Sequence, residues 1–156
     1  MRRFFDTNVL VYSRDRSEPG KRDLAHVLIE NAIADDSFVV SSQVLLEFYV
    51  TMQRRNLLGP AQALQLVRLW SDHDTVSNTS DLLLRGVELH QEHSLSIWDA
   101  LVVQAAIDAW CDVLLTEDLQ HGRRFGEVIV ENPFLEAHAA REPRRKRFLR
   151  ERFRGK

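Results

Sequence analysis

Short apolar runs alternate with helical apolar stripes along this chain. Arg2-Arg3-Phe4-Phe5 predicts a first strand, closed by Asp6-Thr7-Asn8, residue types that favour turns and helix caps. A short helix follows until Ser17-Glu18-Pro19-Gly20 breaks it, and Leu24, Val27, Leu28 and Ala32 then recur at helical spacing up to Asp35-Asp36. Phe38-Val39-Val40-Ser41 predicts a second strand. Between Gln43 and Arg55 an apolar stripe of Val44, Leu45, Phe48 and Met52 marks a helix, and Gly59-Pro60 opens the next with proline at its favoured first position. Asp74 to Ser77 reads as a third strand. Thr79 to His93 and Ser96 to Ala109 read as helices, the second with Trp98, Leu101, Val102, Ala105 and Ala109 on its buried face. The unbroken apolar runs Val113-Leu114-Leu115-Thr116 and Val128-Ile129-Val130 predict buried strands.

This alternation implies βαβ units, hence an α/β fold with a mainly parallel sheet covered by helices on both faces. With 156 residues the chain suits one domain, here residues 1–136, followed by a tail at 137–156 that reads as a basic helix or as disordered. Charge sharpens that boundary. From Arg141 to Lys156 there are nine Lys/Arg against two Asp/Glu, while the rest of the chain carries a net charge of −9. No apolar run reaches the roughly 18 residues that span a bilayer, and no signal-peptide core precedes Asp6, so a cytoplasmic protein without membrane contact is expected. The single cysteine, Cys111, lies in an apolar stretch and reads as a plain buried thiol.

Ligands of open α/β sheets bind outside the carboxyl ends of the strands. Asp6 follows the first strand directly, and Asp118 follows Val113–Thr116 by two residues. Glu47 lies in the first turn or two of the helix after the second strand, and Asp99 sits in the first turn of a later helix, at the border of its apolar face. Each has a plainer role open to it. Asp6 and Asp118 suit helix caps or turns, Glu47 a solvated helix position, and Ser96-Ile97-Trp98-Asp99 the S-x-x-acid capping pattern. Together, acids at strand ends gather negative charge that calls for a counter-ion, and Mg²⁺, a hard cation that takes oxygen ligands, meets that need.

Phe5-Asp6-Thr7-Asn8-Val9-Leu10, Ser41-Ser42-Gln43-Val44-Leu45-Leu46-Glu47-Phe48, Ile97-Trp98-Asp99-Ala100-Leu101 and Leu114-Leu115-Thr116-Glu117-Asp118-Leu119 resemble, in order, the four motifs of PIN domains. The resemblance covers roughly residues 3 to 135 and leaves out the tail. It is nearest to the VapC-type toxins of toxin–antitoxin pairs. It implies a three-layer α/β/α fold around a mainly parallel sheet of four to five strands, and a Mg²⁺- or Mn²⁺-dependent endoribonuclease that leaves a 5′-phosphate and a 3′-hydroxyl. It also implies a homodimer and a small antitoxin partner. Carried onto this chain, it gives Asp6, Glu47, Asp99 and Asp118 as the metal-binding acids, with Asn8 and Thr116 as polar helpers.

An acidic cleft needs basic groups at its rim if RNA is to approach. Arg123 and Arg124, and Arg144, Arg145 and Arg147 in the tail, are the candidates, against a tail that is only solvated or that docks a partner. Arg54-Arg55 reads as stabilising a helix C-terminus. His121 reads as an exposed turn residue, and His90 and His93 lack a paired motif that would make a zinc site. A phosphotransferase with a nucleophilic aspartate would offer a second acid two residues after Asp6, where this chain has Asn8. The competing class is a PIN module that binds RNA or protein without cutting.

Overall fold

The computed structural model describes residues 1–135, so the tail with Arg144, Arg145 and Arg147 lies outside the described residues. The elements run β1 (Arg3–Phe5), α1 (Thr7–Tyr12), α2 (Pro19–Ala34), β2 (Phe38–Ser41), α3 (Ser42–Arg54) and α4 (Pro60–Ser71). They continue with β3 (Asp74–Val76), α5 (Ser80–His93), α6 (Ile97–Asp108), β4 (Val113–Leu115), β5 (Arg124–Phe125) and β6 (Val128–Glu131).

The strands form one sheet in the order β3-β2-β1-β4-β6-β5, parallel except where β5 meets β6. The sheet therefore has six strands where four to five are expected. Its unforeseen member is β5, two residues turned back onto β6 through Gly126 at φ 58°. A strand that short, half of it Arg124, leaves no apolar period to read.

All four residues of β2 are buried, as a strand covered on both faces requires. Parallel crossovers are right-handed, which puts α1 to α4 on one face and α5 with α6 on the other. Phe5, Phe38, Phe48 and Trp70 form the aromatic centre of the first layer, with Phe48 and Trp70 edge to face at 4.8 Å. Cys111 is buried as expected, and that burial pushes its thiol up to about 12.

Helix α6 departs from its expected orientation. Trp98, expected on the buried face, is 63% exposed, while Ala100 to Ala106 are all buried. A helix apolar on nearly every side has no stripe from which to read its phase. It is held close to α5 because position 86 is glycine: a Cβ there would stand 2.6 Å from Leu101 Cδ2 and 3.6 Å from its Cα. Gly86→Val is therefore expected to cost about 1–3 kcal/mol by overpacking, read as a lower urea midpoint. Gly20→Ala, where a Cβ meets nothing within 4 Å on α2, should leave the midpoint unchanged or raised. Equal losses from both changes would refute the close-packing argument.

Topology then fixes where ligands bind. The chain steps outward from β1 to β2 to β3, crosses back through α5 and α6, and enters β4 on the other side of β1. The reversal opens a crevice at the carboxyl end of β1. Phe5 pairs with Leu115, so Asp6 and Thr116 are the next residues out of the sheet at that edge.

Candidate active site

Asp6 is buried at the mouth of β1 and caps α1, its Oδ1 accepting the Thr7 N–H at 2.7 Å. Its Oδ2 accepts the Thr116 hydroxyl at 2.7 Å and the Asn8 amide at 3.2 Å. The capping role and the site role thus fall on the same carboxyl. Asn8 Nδ2 also lies 3.1 Å from Asp118 Oδ2 and 2.9 Å from Thr116 Oγ1, so one amide stands between two carboxylates. The Thr116 hydroxyl in turn accepts the Asp118 N–H at 3.1 Å, fixing the loop that carries Asp118.

Burial raises the Asp6 carboxyl from 3.8 to about 7; Thr116 and Thr7 pull it down, and the charges of Asp118 and Asp99 push it further up. Asp118 is also raised, first by desolvation against the Asn8 hydrogen bond, then by Asp99 and Glu117. Three of the expected acids therefore sense one another electrostatically. Asp99 stands in the first turn of α6, where the Ser96 hydroxyl accepts its N–H at 3.1 Å, so the predicted cap is present as well.

Glu47 reaches the same edge from α3. Its Oε2 accepts the Thr7 hydroxyl at 3.1 Å and its Oε1 accepts the Gln43 amide at 2.8 Å. Gln43 also reaches the Trp98 carbonyl at 3.4 Å, linking α3 to the start of α6. Thr7 and Gln43 had not been singled out from sequence; the Gln43–Glu47 spacing of one helical turn was the available signal. The four acids share one edge rather than one point. Among the described residues no three Asp, Glu, His or Cys side chains stand close enough to hold a metal ion together.

Sequence also gave no warning of a clamp beside this loop. Lys21, buried on α2, donates to Glu117 Oε2 at 2.7 Å and to the Tyr12 hydroxyl at 2.9 Å, and lies over the Tyr12 ring at 4.2 Å. Burial works against its charge, but Glu117 and Tyr12 outweigh burial and hold the ammonium above its ordinary pKa. Tyr12 donates to Glu117 Oε1 at 2.5 Å. The clamp thus anchors the residue between Thr116 and Asp118.

A cavity of about 310 Å³ opens here, with Asn8, Glu47, Glu117 and Asp118 on one side and Arg54 and Arg55 on the other. A roomier cavity of about 700 Å³ lies around Trp110, Cys111 and Asp112, before β4 and so at the opposite edge of the sheet. Its Arg85 is already committed to Asp81 and Asp108. Of the expected RNA-contacting arginines, Arg123 donates to the His93 carbonyl at 3.2 Å and covers the Phe125 ring, while Arg124 is exposed on β5. His121 Nδ1 accepts the Asn132 N–H at 3.1 Å.

The donor set suits a hard divalent cation. Every acid in it offers oxygen, and Mg²⁺ ordinarily takes one or two carboxylates and completes its shell with water. Asp6 and Asp118 form such a pair, with the Asn8 donor lying where positive charge is favoured.

Fold and site together define a parallel α/β domain with an all-oxygen acidic pocket at its topological switch point. The family model described as PIN domain matches residues 3–125. The chain belongs to the PIN-domain family. Among solved structures it resembles VapBC2 from Rickettsia felis bound to a DNA fragment from its promoter, at 19% identity and a TM-score of 0.62, covering 85% of this chain and 98% of that one. A toxin–antitoxin complex from Klebsiella pneumoniae matches at 20% identity and a TM-score of 0.60, covering 83% and 96%. VapC20 from Mycobacterium tuberculosis, a toxin that cleaves the sarcin–ricin loop, matches at 20% identity and a TM-score of 0.56, covering 72% and 86%. These likenesses establish the fold. No curated protein sequence matches the chain. Among the described residues no helix is long and apolar enough to cross a membrane.

Proposed function

We propose that this protein is an endoribonuclease dependent on Mg²⁺ or Mn²⁺, and the toxin of a toxin–antitoxin pair. Family membership supports the nuclease, and the fold shared with toxin–antitoxin proteins supports a small antitoxin partner. The observation that carries the reading is the Asp6–Asn8–Asp118 bridge, two carboxyls raised above their ordinary pKa on one shared donor with Asp99 in Coulombic range.

When bound, the divalent cation supplies charge that polarises a phosphodiester and eases deprotonation of water. Asp6, Asp99 and Asp118 would hold it directly or through water, and Glu47 would be a further ligand or orient the attacking water. Thr116 keeps Asp6 in place through its hydroxyl, and Asn8 spaces Asp6 from Asp118. In-line attack leaves a 5′-phosphate and a 3′-hydroxyl. In this reading residues 1–136 form the nuclease domain of a cytoplasmic homodimer. Arg123, Arg124 and the tail arginines 144, 145 and 147 draw in RNA.

Labelled single-stranded RNA should be cut with Mg²⁺ or Mn²⁺, and not with EDTA or by Asp6→Asn. Cleavage that survives both controls, or no cleavage with either metal, would reject the nuclease. One observation favours a second reading: both Glu47 oxygens accept hydrogen bonds from Thr7 and Gln43, and among the described residues no three acids meet. A PIN module that binds RNA without cutting would show tight RNA binding and no product in the same assay.

A further inference from the structure

Arg54 and Arg55 close α3 side by side but have different surroundings. Arg55 pairs with the buried Asp15. Arg54, in the last turn, is exposed and has no hydrogen bond or ion pair with any described residue. It nevertheless lines the same cavity as Asn8, Glu47 and Asp118. Glu47 and Arg54 are seven residues apart on one helix, two turns and about 10 Å along its axis, so they share a face. An uncommitted guanidinium and an acidic cluster thus bound a single space.

We infer that Arg54 binds a phosphate of the RNA strand adjacent to the one held at the acids; this rests on the nuclease reading above. A phosphodiester is anionic at every working pH, and the acidic wall repels it. The guanidinium keeps its charge and offers a planar fork that matches two phosphate oxygens. Thr51, one turn from Glu47, lines the space between the two ends of the helix face. The expectation that Arg54 serves the end of its helix is thereby extended: the last-turn position favours its charge, and its lack of a partner among the described residues leaves it available to substrate.

Full-length Asp6→Asn protein, to prevent cutting, is titrated with labelled single-stranded RNA across a salt series in Mg²⁺. Adding Arg54→Ala should raise Kd about tenfold and flatten the slope of log K against log salt by about 0.7, the loss of one phosphate contact. Arg54→Lys should recover the slope and only part of the affinity. Tm should stay within about a degree in both, since the residue is exposed. Arg68→Ala, an exposed last-turn arginine on α4 outside the cavity, should change nothing. An unchanged Kd and slope in Arg54→Ala would overturn the inference, as would a loss that tracks a fall in Tm. If the otherwise wild-type chain cuts RNA and Arg54→Ala cuts it equally well, only this inference fails. If the chain neither binds nor cuts RNA, the nuclease reading fails with it.

Discussion

Asp6→Asn is expected to lower RNA cleavage by at least about 100-fold and yet, without metal at pH 8, to melt at a higher temperature than the parent protein. Under the proposed function, loss of activity follows from removing a charged group that would hold the metal. Gain of stability follows from where that charge sits. In an unfolded chain the carboxyl titrates near 3.8, and in the folded protein burial raises it to about 7. Below the lower value both states hold the proton, so the group adds no penalty. Between the two values the folded state keeps a proton that the unfolded state has released, and stability falls as pH rises; above the upper value the penalty is complete. The gap is worth about 4 kcal/mol. Asparagine cannot ionise and escapes it, while its amide oxygen keeps the Thr7 hydrogen bond. Thermal scans in EDTA should show the variant's advantage at pH 8 and not at pH 4. Mn²⁺ should then raise the melting temperature of the parent more than that of the variant. A parent protein that is the more stable at pH 8 in EDTA would show that Asp6 carries no such burden.

Lys21→Met is expected to cost about 3 kcal/mol and to reduce cleavage, although Lys21 does not line the acidic cavity. Its ammonium offsets the Glu117 charge in a setting where the two side chains are only 8% and 20% exposed. Removing it leaves that carboxylate next to Asp118, whose own carboxyl is already raised by Glu117. The Thr116–Asp118 loop is then expected to relax and Asp118 to lose its fixed distance from Asn8. Lys21→Met combined with Glu117→Gln should recover part of the loss, because the unmatched charge is gone. Urea unfolding of the two single variants and the double variant gives the coupling directly. Strictly additive losses would mean that the clamp is packing alone.

The succession of strands and helices and the acidic edge were legible because they follow from coarse features: apolar runs, helical stripes, and acids placed just after strands. Asp6 and Asp118 could be placed from position alone, since whatever follows a parallel strand emerges at its carboxyl edge. What could not be read depends on side-chain direction. Trp98 was misplaced because α6 is apolar almost all round, and β5 was missed because two residues carry no period. Asp99 and Glu47 lie at the expected edge, but whether four acids meet at a point is decided by ångströms. Thr7 and Asn8 decide it through long-range hydrogen bonds that no spacing rule contains, joined by the one-turn contact from Gln43 to Glu47. Lys21 was invisible for a different reason. A lysine one residue after Pro19-Gly20 looks like a solvated helix start, and only the fold brings it to a glutamate 96 positions away.

The bond from Thr116 to Asp6 spans 110 positions, and the strand that carries Thr116 enters the sheet only after α6 has been made. A growing polypeptide emerging from the ribosome therefore possesses Asp6 and Glu47 well before it possesses the residues that complete the acidic edge. Whatever chemistry the pocket performs is withheld from the translation machinery until β4 slides in beside β1.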